Sequence, residues 1–523
     1  MTVDEQIVAT QNSVLDTVFR QGAPVTQVDS PPGAGKTYLV TLAAVFAACT
    51  ARMRVCVVTP VADQGYDLLR RLLPFNVPTM LCLIANDRTA PSDLVSQIRF
   101  IHSASPLPAP GILVTTAHKL AGCIDRLRNS FDLLIIDEAY QLATKDFNPI
   151  ASAAAQFLLV GDPGQLPPVI RSDTTRMEAG AFRMHWATPR ELRRRFPNLP
   201  RFALPASRRL TQDTVDLIQP SFYSDLPFLS AVDPSQRRIK FGISGMGDAV
   251  DRTLDLIAQG ASIAVLSLPE VDPTLDVVDA DLGKCIARIA DRAIERRIHW
   301  VGRRELTGSD IGCIDAHVDS GGVIRSELRR LNRREVHANT PEVWQGAERP
   351  LTIVRHPLSG CPKPSTFDLN PGRWCVMLSR HQLACIIVTR SSVIQTIGDY
   401  QHDCGQAPSG AARRCGGFCG LSRTARAILR AARLRSSCSQ TRMTCQPHAT
   451  SLRLAFTSRA LFATSLLFHH FRFALGQVPC MGQQCQKHPS TKTAIFGLIN
   501  AMSAVTLNDE IILLCILNLR PIL

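Results

Sequence analysis

The segment of residues 30–37 constrains the fold of this chain more than any other. Its sequence is Ser-Pro-Pro-Gly-Ala-Gly-Lys-Thr, and it follows an apolar run, Val25–Asp29, that predicts a β-strand. A loop that cradles phosphate groups needs glycines for inward-pointing N–H groups, a lysine that reaches the β- and γ-phosphates, and a hydroxyl that holds Mg²⁺. The residues from Lys36 onward predict a helix. The segment therefore predicts a strand–loop–helix unit that binds ATP through Gly33, Ala34, Gly35, Lys36 and Thr37.

A pair of acids, Asp137 and Glu138, closes a later apolar run. Because the carboxyl ends of parallel strands meet at one edge of a sheet, we expect Asp137 to lie beside the phosphate loop and to hold Mg²⁺ together with Thr37. Glu138 would orient or deprotonate the attacking water. Two plainer interpretations compete, namely a Pro/Gly turn that enters a helix at residues 30–37 and a helix N-cap at the two acids.

Continuous apolar runs recur through the first 400 residues and predict strands that are buried on both faces, as in parallel sheets. Segments with helical patterning, such as Thr37–Cys49 and Val323–Val336, lie between them. Alternation of strand and helix predicts an α/β fold. Two groups of runs predict two sheets, with a junction in the proline-rich stretch Thr188–Pro205. The runs are Arg54–Thr59, Gly111–Thr116, Asp132–Asp137 and Gln156–Asp162, followed by Ser262–Leu268, Asp310–Ala316, Leu351–His356, Trp374–Arg380 and Ala384–Thr389.

Two motifs then identify a family. Residues 137–141 are Asp-Glu-Ala-Tyr-Gln, and residues 161–168 are Gly-Asp-Pro-Gly-Gln-Leu-Pro-Pro. Together with the phosphate loop, these strings resemble superfamily 1 helicases, in particular the up-frameshift-like branch. The resemblance implies two tandem RecA-like parallel-sheet P-loop domains, ATP and Mg²⁺ as cofactors, and single-stranded DNA or RNA as the partner. It also implies that Gln165 senses the γ-phosphate.

Further residues follow from the same resemblance, which spans Gln11 to Thr389. Gln11 stands where the family has an adenine-reading glutamine, with Gln6 as a competitor. Thr59-Pro60 and Thr115-Thr116 resemble motifs that contact nucleic acid. The resemblance assigns phosphate-binding arginines to Arg209, within Ser207–Arg209, and to Arg380, within Val376–Arg380. It assigns nucleotide contacts to Gln345, Gly346 and Glu348.

The sequence also departs from the family pattern in three places. Ser30 stands where the full phosphate-loop pattern has glycine, and Ser379-Arg380-His381 stands for a commoner Thr-Arg-Ala. Asp315–Asp319 occupies a segment in which many relatives carry Thr-Pro-Tyr, so a nucleic-acid contact is not expected there. None of the three departures removes a charge that handles phosphate, and an active ATPase remains the expectation.

Charge is distributed unevenly along the chain. The net charge is +14, but residues 401–523 hold 14 Lys and Arg against three acids, which leaves +3 for the first 400 residues. The nucleic-acid prediction therefore depends on motifs and not on bulk charge. Four arginine clusters, at 193–195, 296–297, 303–304 and 329–334, are more typical of solvated helix faces than of phosphate contacts. Trp344 is the best candidate for base stacking, with a packed core position as the alternative.

The sequence predicts three regions: a RecA-like ATPase domain at 1–195, a second RecA-like domain at 196–400, and a Cys/Arg-rich tail at 401–523 that is irregular or poorly ordered. For the tail we consider a basic arm that binds nucleic acid, a zinc site around Cys415 and Cys419, and an out-of-frame extension. The last is favoured because acids nearly vanish where the resemblance ends. Comparison of the coding DNA with intact relatives would decide it.

The function predicted is an ATP-dependent helicase or translocase that couples hydrolysis in an inter-domain cleft to stepping along a single strand. The alternative is an ATP-switched remodelling ATPase that binds nucleic acid without unwinding it. The N-terminus lacks an apolar signal segment and the chain lacks a long apolar run, so the sequence predicts a cytoplasmic protein without a membrane span. Its 17 cysteines predict reduced thiols. We expect a monomeric motor.

Overall fold

The first lobe of the protein is built on a sheet of eight parallel strands. The computed structural model describes residues 1–104, 107, 110–170, 174–178, 180–270, 278–360, 365, 367–393 and 448–451. The strands are β1 (Val25–Asp29), β2 (Arg54–Thr59), β3 (Met80–Leu83), β4 (Arg99–Ile101), β5 (Gly111–Thr116), β6 (Phe131–Ile136), β7 (Ala154–Gly161) and β8 (Arg201–Ala203). The helices are α1 (Val3–Leu15), α2 (Lys36–Val45), α3 (Ala62–Leu72), α4 (Ala117–Ala121), α5 (Ile124–Leu127), α6 (Thr144–Ile150), α7 (Thr175–Glu178) and α8 (Thr188–Arg195).

The strand order β4-β3-β5-β2-β6-β7-β1-β8 brings the chemistry to one edge of this sheet. Every pair is parallel, so all carboxyl ends point the same way. The strands that end at the phosphate loop and at the acid pair, β1 and β6, are separated only by β7, which itself ends at Gly161. Ligands bind at this edge in open α/β sheets.

The second lobe repeats the arrangement with a smaller sheet of six strands and two minor sheets. Its strands are β9 (Ala206–Ser207), β10 (Leu229–Ser230), β11 (Ile239–Phe241), β12 (Ile263–Leu268), β13 (Ile298–Trp300), β14 (Arg304–Glu305), β15 (Ile311–Ile314), β16 (His337–Asn339), β17 (Arg349–Arg355), β18 (His381–Arg390) and β19 (His448–Ser451). The six-stranded sheet has the order β16-β15-β17-β18-β12-β19, and its pairs are parallel except that β19 runs antiparallel to β12. The minor sheets are β10-β9 and β11-β13-β14. The helices are α9 (Gln212–Phe222), α10 (Ala249–Ala258), α11 (Ala280–Glu295), α12 (Val318–Arg330) and α13 (Pro371–Leu378).

The predicted fold class of two parallel-sheet α/β domains is confirmed. The predicted strands at Val25–Asp29, Arg54–Thr59 and Gly111–Thr116 match the observed bounds. The last strand of the first sheet, β8, lies after residue 195, and the boundaries at 195 and 400 stay predictions. Of the predicted tail, only β19 lies within the described residues; the cysteines proposed as zinc ligands lie outside them. Within the described part, no helix is long and apolar enough to cross a membrane.

One predicted strand is wrong. The apolar run Trp374–Arg380 predicts a strand, but most of its residues belong to α13. Pro371 occupies the first turn, where its fixed φ favours a helix start, and the Asn370 side chain accepts hydrogen bonds from the N–H groups of Gly372 and Arg373. Because α13 is buried on all sides, its apolar run has no helical periodicity and is indistinguishable from a buried strand.

Trp344 and most of the arginine clusters make contacts within the protein. Trp344 is buried in the core between α9, α13 and the second sheet, so it does not serve as a stacking platform. The predicted arginine clusters are mostly engaged within the protein. Examples of these contacts are Arg194 with Glu191, Arg296 with Asp251 and Asp255, Arg304 with Asp310, Arg330 with Glu327, and Arg195 over the ring of Phe182.

A buried polar network ties β1 to the end of the first lobe. Asp29, at the end of β1, is fully buried and accepts hydrogen bonds from Tyr140 Oη at 2.6 Å and from Arg201 Nε at 2.6 Å. Arg193 in turn donates to Tyr140 Oη at 2.9 Å. A buried carboxylate is stable only when its oxygens are satisfied, so this network fixes the strand that enters the phosphate loop.

We therefore expect Asp29→Asn to lower the free energy of unfolding by about 1–3 kcal/mol, because the buried Tyr140 hydroxyl and the Arg201 guanidinium lose a charged acceptor. Thermal unfolding followed by circular dichroism measures this. The control is Asp132→Asn, which breaks the half-exposed pair with Arg54 and should cost about 0–1 kcal/mol. Equal stability losses in the two variants would contradict the structural role of the network.

Candidate nucleotide-binding site

The phosphate loop has the backbone that its sequence predicts. Gly33 and Gly35 have φ values of 74° and 89°, a left-handed conformation that favours glycine. Gly35 immediately precedes α2, so Lys36 and Thr37 form the first turn of that helix. The free N–H groups of a helix N-terminus attract anions. The loop is therefore shaped to bind phosphate.

Ser30, the departure from the family pattern, fits the loop without strain. Its side chain is fully buried, and its backbone N–H donates to the Gly161 carbonyl at 2.8 Å. Its hydroxyl donates to the Pro31 carbonyl at 3.3 Å. Ser30 is not among the residues with positive φ. Since no left-handed conformation is needed at this position, serine serves as well as glycine.

An ion pair joins the phosphate loop to the acid pair. Lys36 Nζ lies 2.6 Å from Glu138 Oε1, with only 14% and 9% of the two side chains exposed. Glu138 has a φ of 54°. A left-handed conformation costs a non-glycine residue about 1–2 kcal/mol, and strain of this kind clusters at functional sites. The strained turn directs the Glu138 side chain across β7 to the lysine.

Asp137 is suited to a cation. Burial raises its pKa to about 6, the neighbouring Glu138 adds to the rise, and Lys36 opposes it. Its carboxylate and the Thr37 hydroxyl are oxygen ligands of the kind that Mg²⁺ prefers. No group of three His, Cys, Asp or Glu side chains converges as a metal site within the described residues. Mg²⁺ that is bound by one or two protein oxygens takes its other ligands from phosphates and water, and these residues fit that arrangement.

A segment of the second lobe lies directly against the phosphate loop. The Arg208 N–H donates to the Gly33 carbonyl at 2.8 Å, and the Ser207 hydroxyl donates to the Pro32 carbonyl at 2.7 Å. A side chain at Gly33 would collide with Arg209, since an added Cβ would lie 2.4 Å from the Arg209 Cβ. The start of the second lobe therefore places Arg209 at the loop, and its contact with phosphate stays a prediction.

Arg209 and Arg380 lie together on the second-lobe side of the cleft. Arg209 forms an ion pair with Glu348 and donates through Nη1 to the Ser379 carbonyl at 3.3 Å. Arg380 is buried and donates to the Val376 carbonyl and to the Ser379 hydroxyl, each at 3.2 Å. Ser379 thus contacts both guanidinium groups, a role that the sequence did not indicate.

Glu348 balances this positive charge. Burial acts to raise the pKa of Glu348, but Arg209 and a hydrogen bond from Gln382 Nε2, at 2.6 Å, outweigh it and lower that pKa. Burial lowers the pKa of Arg209, and Glu348 opposes the decrease. The pair is therefore a charged contact in a partly buried cleft, with 19% and 35% of the two side chains exposed, where an incoming phosphate would compete with the carboxylate for the arginine.

The segment Gln345–Gly346 reaches the first lobe on the same side. Gln64 Nε2, on α3, donates to the Gln345 carbonyl at 3.5 Å, a long contact. The Gln345 amide nitrogen is buried and has no hydrogen-bond partner among the described residues. Gln345 therefore offers a free donor at the interface between the lobes.

Gln165 is held by a residue that the sequence analysis did not single out. Its side-chain Nε2 donates to Asp162, while its side-chain oxygen, Oε1, is buried and without a partner among the described residues. Asp162 also accepts a hydrogen bond from Tyr223 Oη of the second lobe at 2.7 Å. Asp162 was visible in the Gly-Asp-x-x-Gln string, but no sequence signal paired it with Tyr223.

Gln11 is buried on α1. The first turn of that helix is joined to the second lobe by an ion pair between Asp4 and Arg208, whose atoms are 3.3 Å apart. This contact brings α1 to the segment that touches the phosphate loop. The adenine-reading role of Gln11 stays a prediction.

The residues that resemble nucleic-acid motifs lie at the ends of β2 and β5. Thr59, Pro60, Thr115 and Thr116 line a cavity of about 240 Å³. Thr59 and Pro60 also border a second cavity, of about 480 Å³, together with Asp137 and Glu138. The candidate nucleic-acid motif and the candidate catalytic acids therefore share a wall. The divergent segment 315–319 contributes internal contacts, with His317 Nε2 2.8 Å from Asp368 Oδ1.

Residues 6–195 match the family model described as an AAA domain. This match confirms the expected P-loop NTPase domain and, for the matched residues, the likeness to superfamily 1 helicases; the up-frameshift-like branch stays a prediction. No curated protein matches the chain.

Several solved structures are similar to the chain. The PRRSV helicase is 16% identical, with 73% of this chain and 54% of that chain covered and a TM-score of 0.35. The arterivirus nonstructural protein 10 helicase in complex with DNA is 13% identical, with coverages of 75% and 65% and a TM-score of 0.37. A further structure of that arterivirus protein has coverages of 75% and 63%. The chain thus spans between 54% and 65% of these solved chains.

The raised pKa of Asp137 predicts a proton released on binding. Mg²⁺ needs the ionised carboxylate, so binding of a non-hydrolysable Mg²⁺–ATP analogue should release more protons near pH 6 than at pH 8. Calorimetry in buffers of different ionisation enthalpy measures this. Asp137→Asn should release fewer protons at pH 6, whereas Asp132→Asn, whose parent carboxyl has a lowered pKa because it accepts from Arg54, should match the wild type. Equal release by all three proteins would contradict the assignment.

Proposed function

We propose that the chain is an ATP-dependent motor, a helicase or translocase, that acts on single-stranded nucleic acid. The observation that carries the proposal is the meeting of two lobes at one phosphate loop. Lys36, Glu138 and Gln165 lie on one side, and Arg209 and Arg380 lie on the other. Arginines that approach the transferring phosphoryl group across a cleft stabilise its charge only when the cleft is closed.

Nucleotide binding would break the Lys36–Glu138 ion pair; we call this pair the latch. A triphosphate brings several negative charges to Lys36, which then leaves the carboxylate for the β- and γ-phosphates. Glu138 is released on the strained turn and faces the cavity that it shares with Thr59 and Pro60. There it would orient the attacking water. When bound, Mg²⁺, held by Asp137 and Thr37, would neutralise charge on the phosphates.

The second lobe would respond to the same phosphate. Arg209 is held by Glu348 and by the Ser379 carbonyl, and Arg380 by Val376 and Ser379. These contacts keep both guanidinium groups ordered before nucleotide arrives. A γ-phosphate would replace Glu348 as the partner of Arg209 and draw the lobe inward, and its loss after hydrolysis would restore the pair.

Closure of the cleft between the lobes would be coupled to the bound nucleic-acid strand through the end of β2, which borders both the candidate nucleic-acid cavity and the candidate catalytic acids. Thr59 ends β2 and Pro60 follows it, and the Asp137 N–H donates to the Val58 carbonyl of the same strand at 3.0 Å. A displacement of the β2 end by a bound phosphate backbone would therefore move the turn that carries Glu138. This link supplies a physical route from polymer binding to the rate of hydrolysis.

The direct experiment measures the ATPase rate with and without single-stranded DNA and single-stranded RNA. At least one polymer should raise kcat severalfold in the wild type. Lys36→Ala should abolish hydrolysis under every condition. Failure of both polymers to stimulate an active wild-type ATPase would overturn the motor proposal. Stimulation without strand separation on partly duplex substrates would favour the remodelling ATPase instead.

The roles of the ion pair are separable by binding. Glu138→Gln should lower kcat by about 10²–10⁴-fold, because the general base is lost, while the affinity for a Mg²⁺–ATP analogue is kept or rises as Lys36 is freed. Lys36→Ala should weaken that affinity. Fluorescent-nucleotide titration gives both values. Weaker binding in Glu138→Gln than in Lys36→Ala would contradict the latch.

A further inference from the structure

Asp162 is the centre of a hydrogen-bond cluster that crosses between the lobes. Its Oδ1 accepts from the Gly164 N–H at 3.0 Å and from Tyr223 Oη at 2.7 Å, and its Oδ2 accepts from Gln165 Nε2. Asp162 and Tyr223 are each only 1% exposed. The Tyr223 hydroxyl therefore holds, from the second lobe, the carboxylate that orients the Gln165 side chain.

The backbone around this cluster is tightly packed at two glycines. A Cβ added to Gly164 would lie 2.4 Å from the Tyr223 ring. A Cβ added to Gly372, in α13, would lie 2.5 Å from the backbone carbonyl oxygen of Gln165. Atoms at such distances overlap. The loop of residues 162–165 is thus clamped between Tyr223 on one side and the start of α13 on the other.

Tyr223 is itself fixed on the second lobe. Its ring packs edge-on against Phe228, with centroids 5.4 Å apart, and its hydroxyl lies 3.2 Å from Cys375 Sγ in α13. This helix ends at Leu378, two residues before Arg380. The hydroxyl therefore bridges the loop that carries Gln165 and the helix that leads to Arg380.

Electrostatics give the hydroxyl a further effect. Burial raises the pKa of Asp162 to about 6, and both Lys36 and the Tyr223 hydrogen bond act against this rise. Tyr223 thus helps to keep Asp162 ionised, and an ionised carboxylate is the stronger acceptor for the Gln165 amide. Geometry and charge support the same role.

We propose that Tyr223 is a positioning residue for hydrolysis, which sets the orientation of Gln165 through Asp162. Because the Tyr223 hydroxyl also contacts α13, that orientation depends on where α13 and Arg380 lie. The inference rests on the proposed ATPase function. It predicts that the Gln165 carboxamide is oriented only when the second lobe is docked. Loss of the hydroxyl therefore impairs turnover and leaves nucleotide binding by the phosphate loop intact.

The test is Tyr223→Phe, which keeps the ring against Gly164 and removes only the hydroxyl. In the presence of the stimulating polymer, kcat should fall by about tenfold or more, with the KM for ATP within about twofold of wild type. The control is Thr253→Val, which removes a buried hydroxyl that donates to the Ala249 carbonyl at 2.8 Å within α10, away from the cleft. It should leave kcat within about twofold of the wild type, whatever its effect on the melting temperature.

A double-mutant cycle identifies the route. If Tyr223 acts through Asp162, Tyr223→Phe should have little further effect on kcat in an Asp162→Asn background. Independent, multiplying effects would overturn the proposal, as would a kcat for Tyr223→Phe no lower than that of Thr253→Val. Failure of the motor proposal is distinct, because it would show in the wild type, as an ATPase that neither polymer stimulates; a wild type without any ATPase would overturn both.

Discussion

The ion pair between Lys36 and Glu138 is the contact on which the rest of the site depends. It joins the lysine at the end of the phosphate loop to the second residue after β6, across the intervening strand β7. Removing two charges from water is costly, and their attraction often does little more than offset that cost. A pair of this kind gives way readily to a better partner. Under the proposed function, a triphosphate would take the lysine and release the acid.

The second lobe repeats the same principle with Arg209 and Glu348. On each side of the cleft, a basic side chain that the resemblance assigns to phosphate binding is paired with a carboxylate: Lys36 with Glu138, and Arg209 with Glu348. Each carboxylate lies in a different family motif from its basic partner. Phosphate binding would exchange both partners together. The hydrogen bonds from Arg208 to Gly33 and from Tyr223 to Asp162 join the lobes. Loss of the basic partner of Glu138 would therefore affect the ion pair of Glu348, and the reverse.

The sequence predicted those parts of the fold that are set by local chemistry. The strand, glycines and lysine of residues 25–37 occur together because a phosphate loop needs all of them, and buried parallel strands such as Arg54–Thr59 are continuous apolar runs. The error at Trp374–Arg380 has the same origin, because a helix buried on every side is also a continuous apolar run. Only its cap, Asn370 followed by Pro371, distinguishes it.

Long-range partners were beyond local patterns. Nothing near Tyr223 indicates that its hydroxyl meets a carboxylate 61 positions earlier, and Trp344 beside a glutamine–glycine motif could equally have been exposed. The arginine clusters were predicted to be mostly solvated, yet residues such as Arg296 are buried against acids from other helices. Charge pairing of that kind depends on tertiary structure, and composition alone does not reveal it.

The most direct measurement is the structure of the protein bound to Mg²⁺, ADP and aluminium fluoride, a mimic of the transferring phosphoryl group. We expect that Lys36 Nζ leaves Glu138 for the phosphates, that Arg209 leaves Glu348, and that Asp162 keeps its hydrogen bond from Tyr223. A complex in which the nucleotide is bound while both ion pairs stay intact would contradict it.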